Sequence, residues 1–222
     1  MTDTPKRHMK DQIYDIFLSR IQRGEIGPDV RLVDTAVAAE FNVSRMPVRD
    51  ALMRLTHEGY LDSTTRGFTL PNLDTRQIRE IFELRRLLEP RAAALATARL
   101  TEDDLTRLRD AVARAEQTLE TGEIETLFAA SEDIRRTWIM AVPNKELRDT
   151  ILRYMAQIQA VRMATLRDAE AHRTLVDLQR RLLQALEARD AAAVELLLLR
   201  YVLAGEDSFL RLHPPSADSD AS

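Results

Sequence analysis

Apolar residues recur at helical spacing over most of the chain. Ile13, Phe17 and Ile21 stand four apart with Ile16 beside them, which predicts a first helix over residues 9–23. Gly24 follows where a helix end favours positive φ, and Gly27-Pro28 punctuates the next loop. Two closely spaced helices come next. Asp34 or a neighbour caps one that runs to about Glu40, and Asn42 supplies a turn residue tolerant of the left-handed conformation. Ser44 caps the following helix, with Pro47 in its first turn, where a missing N–H is harmless. Val37, Ala38, Phe41, Val43, Val48 and Ala51 are the small or apolar positions that let these helices cross closely, a helix-turn-helix pattern. After Gly59 the short strand-like pieces "YLD" and "FTL" flank a tip at Arg66-Gly67, which predicts a two-stranded wing.

Beyond "LPNLDT", a linker at about residues 70–74 that ends in a helix cap, the pattern is helical almost throughout. Pro90 in "LLEPRAAALA" predicts a bend or break in the helix that begins near Thr75. Thr101 opens another with Leu105, Leu108, Val112, Ala115 and Leu119 on one face. Asn144 caps a helix carrying Leu147, Ile151, Tyr154, Ile158 and Val161, and Leu175, Leu178, Leu182 and Leu186 mark the next. "VELLLLRYVL" (194–203) is apolar on too much of its circumference to face only water. The expected fold is mainly α. A winged helix-turn-helix of three helices and a short two-stranded wing fills residues 1–73, an all-α helical bundle residues 75–212, and a disordered tail residues 213–222.

Composition narrows the function. Of 222 residues 31% are charged, 45% hydrophobic and 5% aromatic, as in a helical globular protein; there are no cysteines, so disulfides and thiolate chemistry are excluded. No apolar run approaches the roughly 18 residues of a membrane helix, and the polar amino terminus makes the cytoplasm the expected location. With only six glycines, no phosphate-binding loop and no nucleophile beside a base, the sequence does not read as an enzyme. The net charge is −4, but residues 1–73 carry 10 Lys+Arg against 10 Asp+Glu, so the distribution of charge decides whether this part holds DNA.

That distribution singles out "FNVSRMPVRDALMRL" (41–55). Arg45 and Arg49 lie one turn apart at the start of a helix and point the same way, where a recognition helix meets base edges. A guanidinium fork suits guanine O6 and N7 and also clamps phosphate. Ser44 and the free helix N–H groups suit phosphate, Pro47 a small apolar contact, and Arg66 beside Gly67 an adjacent groove or backbone. The bland alternative is that both arginines are solvated charges paired with neighbours such as Asp50.

"VAAEFNVSRMPVRDALMRLTHEGYL" followed by "RGF" closely resembles the winged helix-turn-helix of the GntR family of bacterial transcription regulators. "IREIFELRRLLEPRAA" (78–93) resembles the start of the all-helical effector domain of its FadR-like branch, called FCD; the resemblance runs from about residue 9 to 203. It implies a homodimeric regulator, more often a repressor, that binds an inverted-repeat operator and answers to a small carboxylate metabolite. It puts DNA contacts at Arg45, Arg49, Arg66 and Gly67, and Thr35 stands where some members have a basic residue.

Many FCD domains hold a divalent metal on an aspartate and three histidines. The matching positions here are Ser131, Arg135, Gln179 and Tyr201, so the resemblance implies an effector pocket without the family's metal. In that pocket Arg135 would supply the positive charge, Ser131, Gln179 and Tyr201 neutral hydrogen bonds, and Arg85 a second cation. The alternative is a constitutive regulator in which Arg135 pairs with an acid and the pocket is vestigial. Of the four histidines only His172 lies near these positions, and it is expected to be a surface or packing residue.

Overall fold

The computed structural model describes residues 8–27, 29–158, 161–162, 165 and 168–212. The residues expected to form a disordered tail lie outside them. Contacts divide the chain into two units, Met1–Leu73 with Arg153–Ala160, and Asp74–Leu152 with Val161–Ser222.

In the first unit α1 (Met9–Gln22), α2 (Asp34–Glu40) and α3 (Arg45–His57) surround a core of Ile13, Phe17, Ile21, Val37, Val48, Leu52 and Leu55. Each of these comes from the apolar stripe of its helix, and burying that stripe is what stabilises helices this short. The turn between α2 and α3 uses Asn42 at φ 51°, a conformation that asparagine tolerates. Strands β1 (Asp62–Thr64) and β2 (Gly67–Thr69) pair antiparallel, Ser63 opposite Phe68. One pairing was absent from the sequence reading. Leu32 and Phe68 exchange two backbone hydrogen bonds of 2.8 Å, which fasten the wing to the loop before α2.

At two of these helix starts the expected side-chain capping bond does not form. Asp34 does not cap α2; Val33 holds the N-cap position, and the Asp34 carboxylate turns to arginines on α3. Ser44 does hold the N-cap position of α3, but its side chain makes no capping bond, so its hydroxyl remains exposed.

The second unit is helical among the described residues: α4 (Thr75–Thr97), α5 (Glu102–Thr121), α6 (Ile124–Met140), α7 (Lys145–Gln157), whose last residues belong to the first unit, α8 (Ala169–Glu187) and α9 (Ala191–Leu212). Helix starts follow the polar residues in the sequence. Asp74 and Gln77 form a capping box on α4, and Thr101 and Asp104 form another on α5. The Asn144 Oδ1 accepts from the Leu147 N–H at 3.1 Å. Helix α5 packs on α6 and α8, and α9 on α4 and α8.

Pro90 neither breaks nor splits α4, which is unbroken over 23 residues. A proline removes one backbone bond. Burial of Arg85, Glu89, Ala92 and Ala93 on either side of it holds the helix in one piece. On α5 the inward face ends at Thr118 rather than at Leu119, which is 48% exposed. Thr118 can sit inside because its hydroxyl donates to the Ala115 carbonyl at 2.6 Å and meets His172 Nε2 at 2.7 Å. With the hydroxyl hydrogen so used, His172 must carry its proton on Nε2. His172 is thus a buried packing residue.

Candidate DNA interface and ligand cavity

Helix α3 presents one face of its first two turns to solvent. The Arg45 and Arg49 side chains are 61% and 60% exposed, and Thr35 on α2 is exposed as well. Both arginines are gathered by one carboxylate. Arg45 Nη2 donates to the two Asp34 oxygens at 3.2 and 3.0 Å, and Arg49 Nη1 stands 3.7 Å from Oδ2. Asp34 is only 12% exposed at its side chain, and the bond from Arg45 is the main influence holding its carboxyl below the usual range. The local charge of the trio is one positive, carried outward by two forks that point the same way. Pro47 lies half-buried beside them in the first turn.

At the wing tip Arg66 is exposed, and the Thr64 hydroxyl closes the turn by donating to the Gly67 carbonyl at 2.9 Å. The family resemblance places Gly67 among the DNA contacts. Its missing side chain has a nearer use: at φ 131°, a Cβ there would lie 2.5 Å from the Leu32 carbonyl oxygen. Glycine is therefore required by the close approach of the wing to Leu32.

In the second unit a cavity of about 240 Å³ opens among α4, α6, α8, α9 and Val161, Arg162 and Thr165. Arg85, Ser131, Arg135 and Tyr201 line it, as the sequence suggested. Gln179 does not; it lies fully buried behind the wall, where its Nε2 donates to Ser131 Oγ at 2.8 Å and so orients that hydroxyl. Arg135 is 4% exposed and lies over the Tyr201 ring, 5.1 Å from its centroid. Burial opposes its charge, but Tyr201, Glu89 and Glu132 outweigh that and keep it protonated.

Three charged neighbours were not found from the sequence. Glu89, with no exposed surface, accepts from Arg85 Nε at 2.7 Å; burial works against its ionisation, yet Arg85, Arg135 and Arg162 hold its carboxyl below the usual range. Arg162, 8% exposed, pairs with Glu132 and lies against the Phe128 ring. Burial, and then Arg135, work against the Arg162 charge, as expected where guanidinium groups crowd. The spacing of Arg85 and Glu89, one turn apart, was the one signal in the sequence for this cluster.

Comparison with known proteins decides what these parts belong to. The family model described as "Bacterial regulatory proteins, gntR family" matches residues 9–69, and the FCD domain model matches residues 80–204, more than half of the chain. The chain belongs to the GntR family, with an FCD domain. Among GntR relatives, the Nta operon transcriptional regulator of Aminobacter aminovorans is 33% identical over 61% of this chain and 64% of its own length. The regulator McbR of Escherichia coli is 32% identical over 53% of each chain, so the chain spans about half to two thirds of these two relatives. The repressor RspR of Escherichia coli is 23% identical over 96% of this chain and 94% of its own.

The solved structure of E. coli McbR/YncC superposes with a TM-score of 0.77 at 24% identity, covering 93% of this chain and 99% of that one. A putative GntR regulator from Rhodococcus sp. RHA1 gives 0.71 at 19% identity, over 91% and 97%. Both show the same fold. This GntR-family chain therefore combines a winged helix-turn-helix with a helical FCD domain. Among the described residues no helix is long and apolar enough to cross a membrane.

Proposed function

We infer that this regulator is a homodimeric, cytoplasmic repressor of an inverted-repeat operator, and that a small carboxylate bound in the helical unit sets its DNA affinity. Arg45 and Arg49 read base edges. Ser44, Thr35 and Arg66 hold backbone, Pro47 touches an apolar edge, and Gly67 acts by seating the wing. The observation that carries the effector reading is a cavity walled by Arg85, Arg135 and Arg162, where a buried anion gains more than it would in water. A constitutive regulator with a vestigial pocket would be expected to fill such a space with side chains.

The donor chemistry of the four family positions also speaks against a resident metal. Ser131, Gln179 and Tyr201 are poor ligands for a divalent cation, and the Arg135 guanidinium would repel one. Ser131 and Tyr201 instead offer neutral hydrogen bonds beside the cation.

Support for the dimer is an apolar outer face on the helical unit. Leu84, Leu87 and Leu95 of α4 are 44, 66 and 38% exposed, Leu196 and Leu203 of α9 are 52 and 39% exposed, and an Arg91–Glu195 ion pair of 3.5 Å bridges the two helices between them. A two-fold partner would bury this face isologously and present two recognition helices together.

The test is fluorescence anisotropy on a selected inverted-repeat duplex and on random duplex at moderate salt, with mass by light scattering. Preference for the repeat, a dimeric mass that Leu87→Glu reduces, and release by an organic acid are expected. Absence of preference or a strictly monomeric mass overturns the reading. Zinc, nickel or a chelator should leave Tm unchanged; a large metal-dependent rise refutes the metal-free pocket.

A further inference from the structure

Gly205 lies in the interior of α9, and neither its backbone nor its packing requires glycine. Its φ is not among the positive values, and a Cβ built there would meet nothing nearer than Phe82 Cε1 at 3.7 Å, an ordinary contact. A helix-interior glycine is less stable than alanine, so one that no contact demands calls for another reason. The reason lies in front of it: Gly205 lines the cavity one turn from Tyr201, which carries Arg135 on its ring. Phe82, Val161, Leu175 and Ala204 line the cavity beside it and make an apolar stretch next to the cationic one.

The charges limit what fits. Arg85, Arg135 and Arg162 stand with Glu89 and Glu132, and these five groups sum to one positive charge. Around the same cavity, Glu170 and Asp207 are exposed, while Arg211 is paired with Asp168 at 3.3 Å. One carboxylate is favoured inside; a second on the same ligand would meet two acids.

Resting on the effector reading above, we propose that Gly205 is the specificity-determining residue of the cavity, and that its missing side chain is room for the apolar body of a small monocarboxylate. The carboxylate lies on the side of Arg135 and Arg162, with the body resting on Gly205 alongside the Phe82 ring. A methyl group added at residue 205 occupies that room without disturbing the fold.

The experiment uses the full chain as wild type, Gly205→Ala and Gly205→Leu. Probes are acetate, butyrate, hexanoate and benzoate beside succinate and adipate at equal ionic strength, read by isothermal titration and Tm. Wild type should bind hexanoate or benzoate at least about tenfold more tightly than adipate. Gly205→Ala should raise the ligand-free Tm by about 2–4 °C. The same variant should weaken hexanoate or benzoate by about tenfold or more and leave acetate unchanged, the size of effect that one methylene has in an apolar pocket. Gly205→Leu should abolish binding of the longer acids while folding normally. A lower ligand-free Tm for Gly205→Ala, or wild-type binding of every acid by both variants, overturns this proposal alone. Equal binding of dicarboxylates overturns the charge limit, and a wild type that binds none of the acids overturns the effector reading with it.

Discussion

Replacing Arg49 with alanine separates base reading from phosphate holding, because the structure makes its structural effect small. Arg49 Nη1 is 3.7 Å from Asp34, beyond hydrogen-bond reach, and the side chain is 60% exposed. An exposed pair of that kind contributes about 0–1 kcal/mol, and this contact belongs at the lower end. Asp34 meanwhile keeps both of its bonds from Arg45. Stability should therefore fall by less than about 0.5 kcal/mol. If Arg49 pairs with a guanine, operator binding should weaken by about 1–3 kcal/mol, roughly 5- to 150-fold. Binding to scrambled duplex should change far less. The assay is anisotropy on both duplexes at two salt concentrations, with urea denaturation as the control. An equal loss on both duplexes, with the salt slope reduced by about one, would put Arg49 on a phosphate. No loss on either would remove this face of α3 from the groove. Arg45→Ala is the contrasting case, since it leaves the mostly buried Asp34 with only the longer of its two arginine contacts and should lower stability as well as binding.

Gly67→Ala should destabilise the first unit by about 2–4 kcal/mol in urea denaturation. The strained φ contributes about 1–3 and disruption of the Leu32–Phe68 bonds about 1 each, not all of it additive; wild-type stability would refute the close approach of the wing. Glu89→Ala leaves the Arg85 charge, 2% exposed, without its carboxylate and should lose about 3–5 kcal/mol. An Arg85→Met/Glu89→Leu pair should lose much less, and if it loses as much, the ion pair is not the cause. His172 is held below its ordinary value of 6.5 by burial and then by Arg173. Below that value the unfolded chain binds a proton that the folded chain refuses, so the His172 contribution is present above pH 6.5 and declines as pH falls toward the folded value. Tm measured from pH 7.5 to 5.5 should fall less steeply in His172→Gln, and an unchanged slope would refute this.

The sequence revealed most where local chemistry decides structure. Asp74, Thr101 and Asn144 start helices because their side chains satisfy N–H groups a few residues on, and such signals survive any tertiary setting. It revealed least where a partner lies far along the chain. Asp34 looked like a cap because a cap uses a neighbour's N–H, whereas its true partner is 11 residues away across the helix turn. Leu32 is joined to Phe68 by backbone hydrogen bonds, which leave no mark in side-chain pattern. The cavity was half legible. Family positions gave Ser131, Arg135 and Tyr201, and the Arg85–Glu89 spacing hinted at a pair. Arg162 and Glu132 meet on different segments, with nothing in either segment to announce the other.

The two candidate sites share a device. In each, a carboxylate with little solvent exposure organises arginines at a candidate binding surface: Asp34 gathers Arg45 and Arg49, and Glu89 holds Arg85 beside Arg135 and Arg162. The carboxylate cancels one positive charge, which weakens long-range attraction for any anion. It also fixes side chains that would otherwise surrender about 0.5–1.5 kcal/mol each in rotamer freedom on binding. The exchange favours geometry over bulk charge, and for a regulator that is the useful direction. Competing duplex and competing metabolites carry the same negative charge as the right ones, so only a correctly placed fork discriminates among them. Residues 1–73, neutral overall, are therefore compatible with sequence-specific binding, because the two forks on α3 carry position as well as charge.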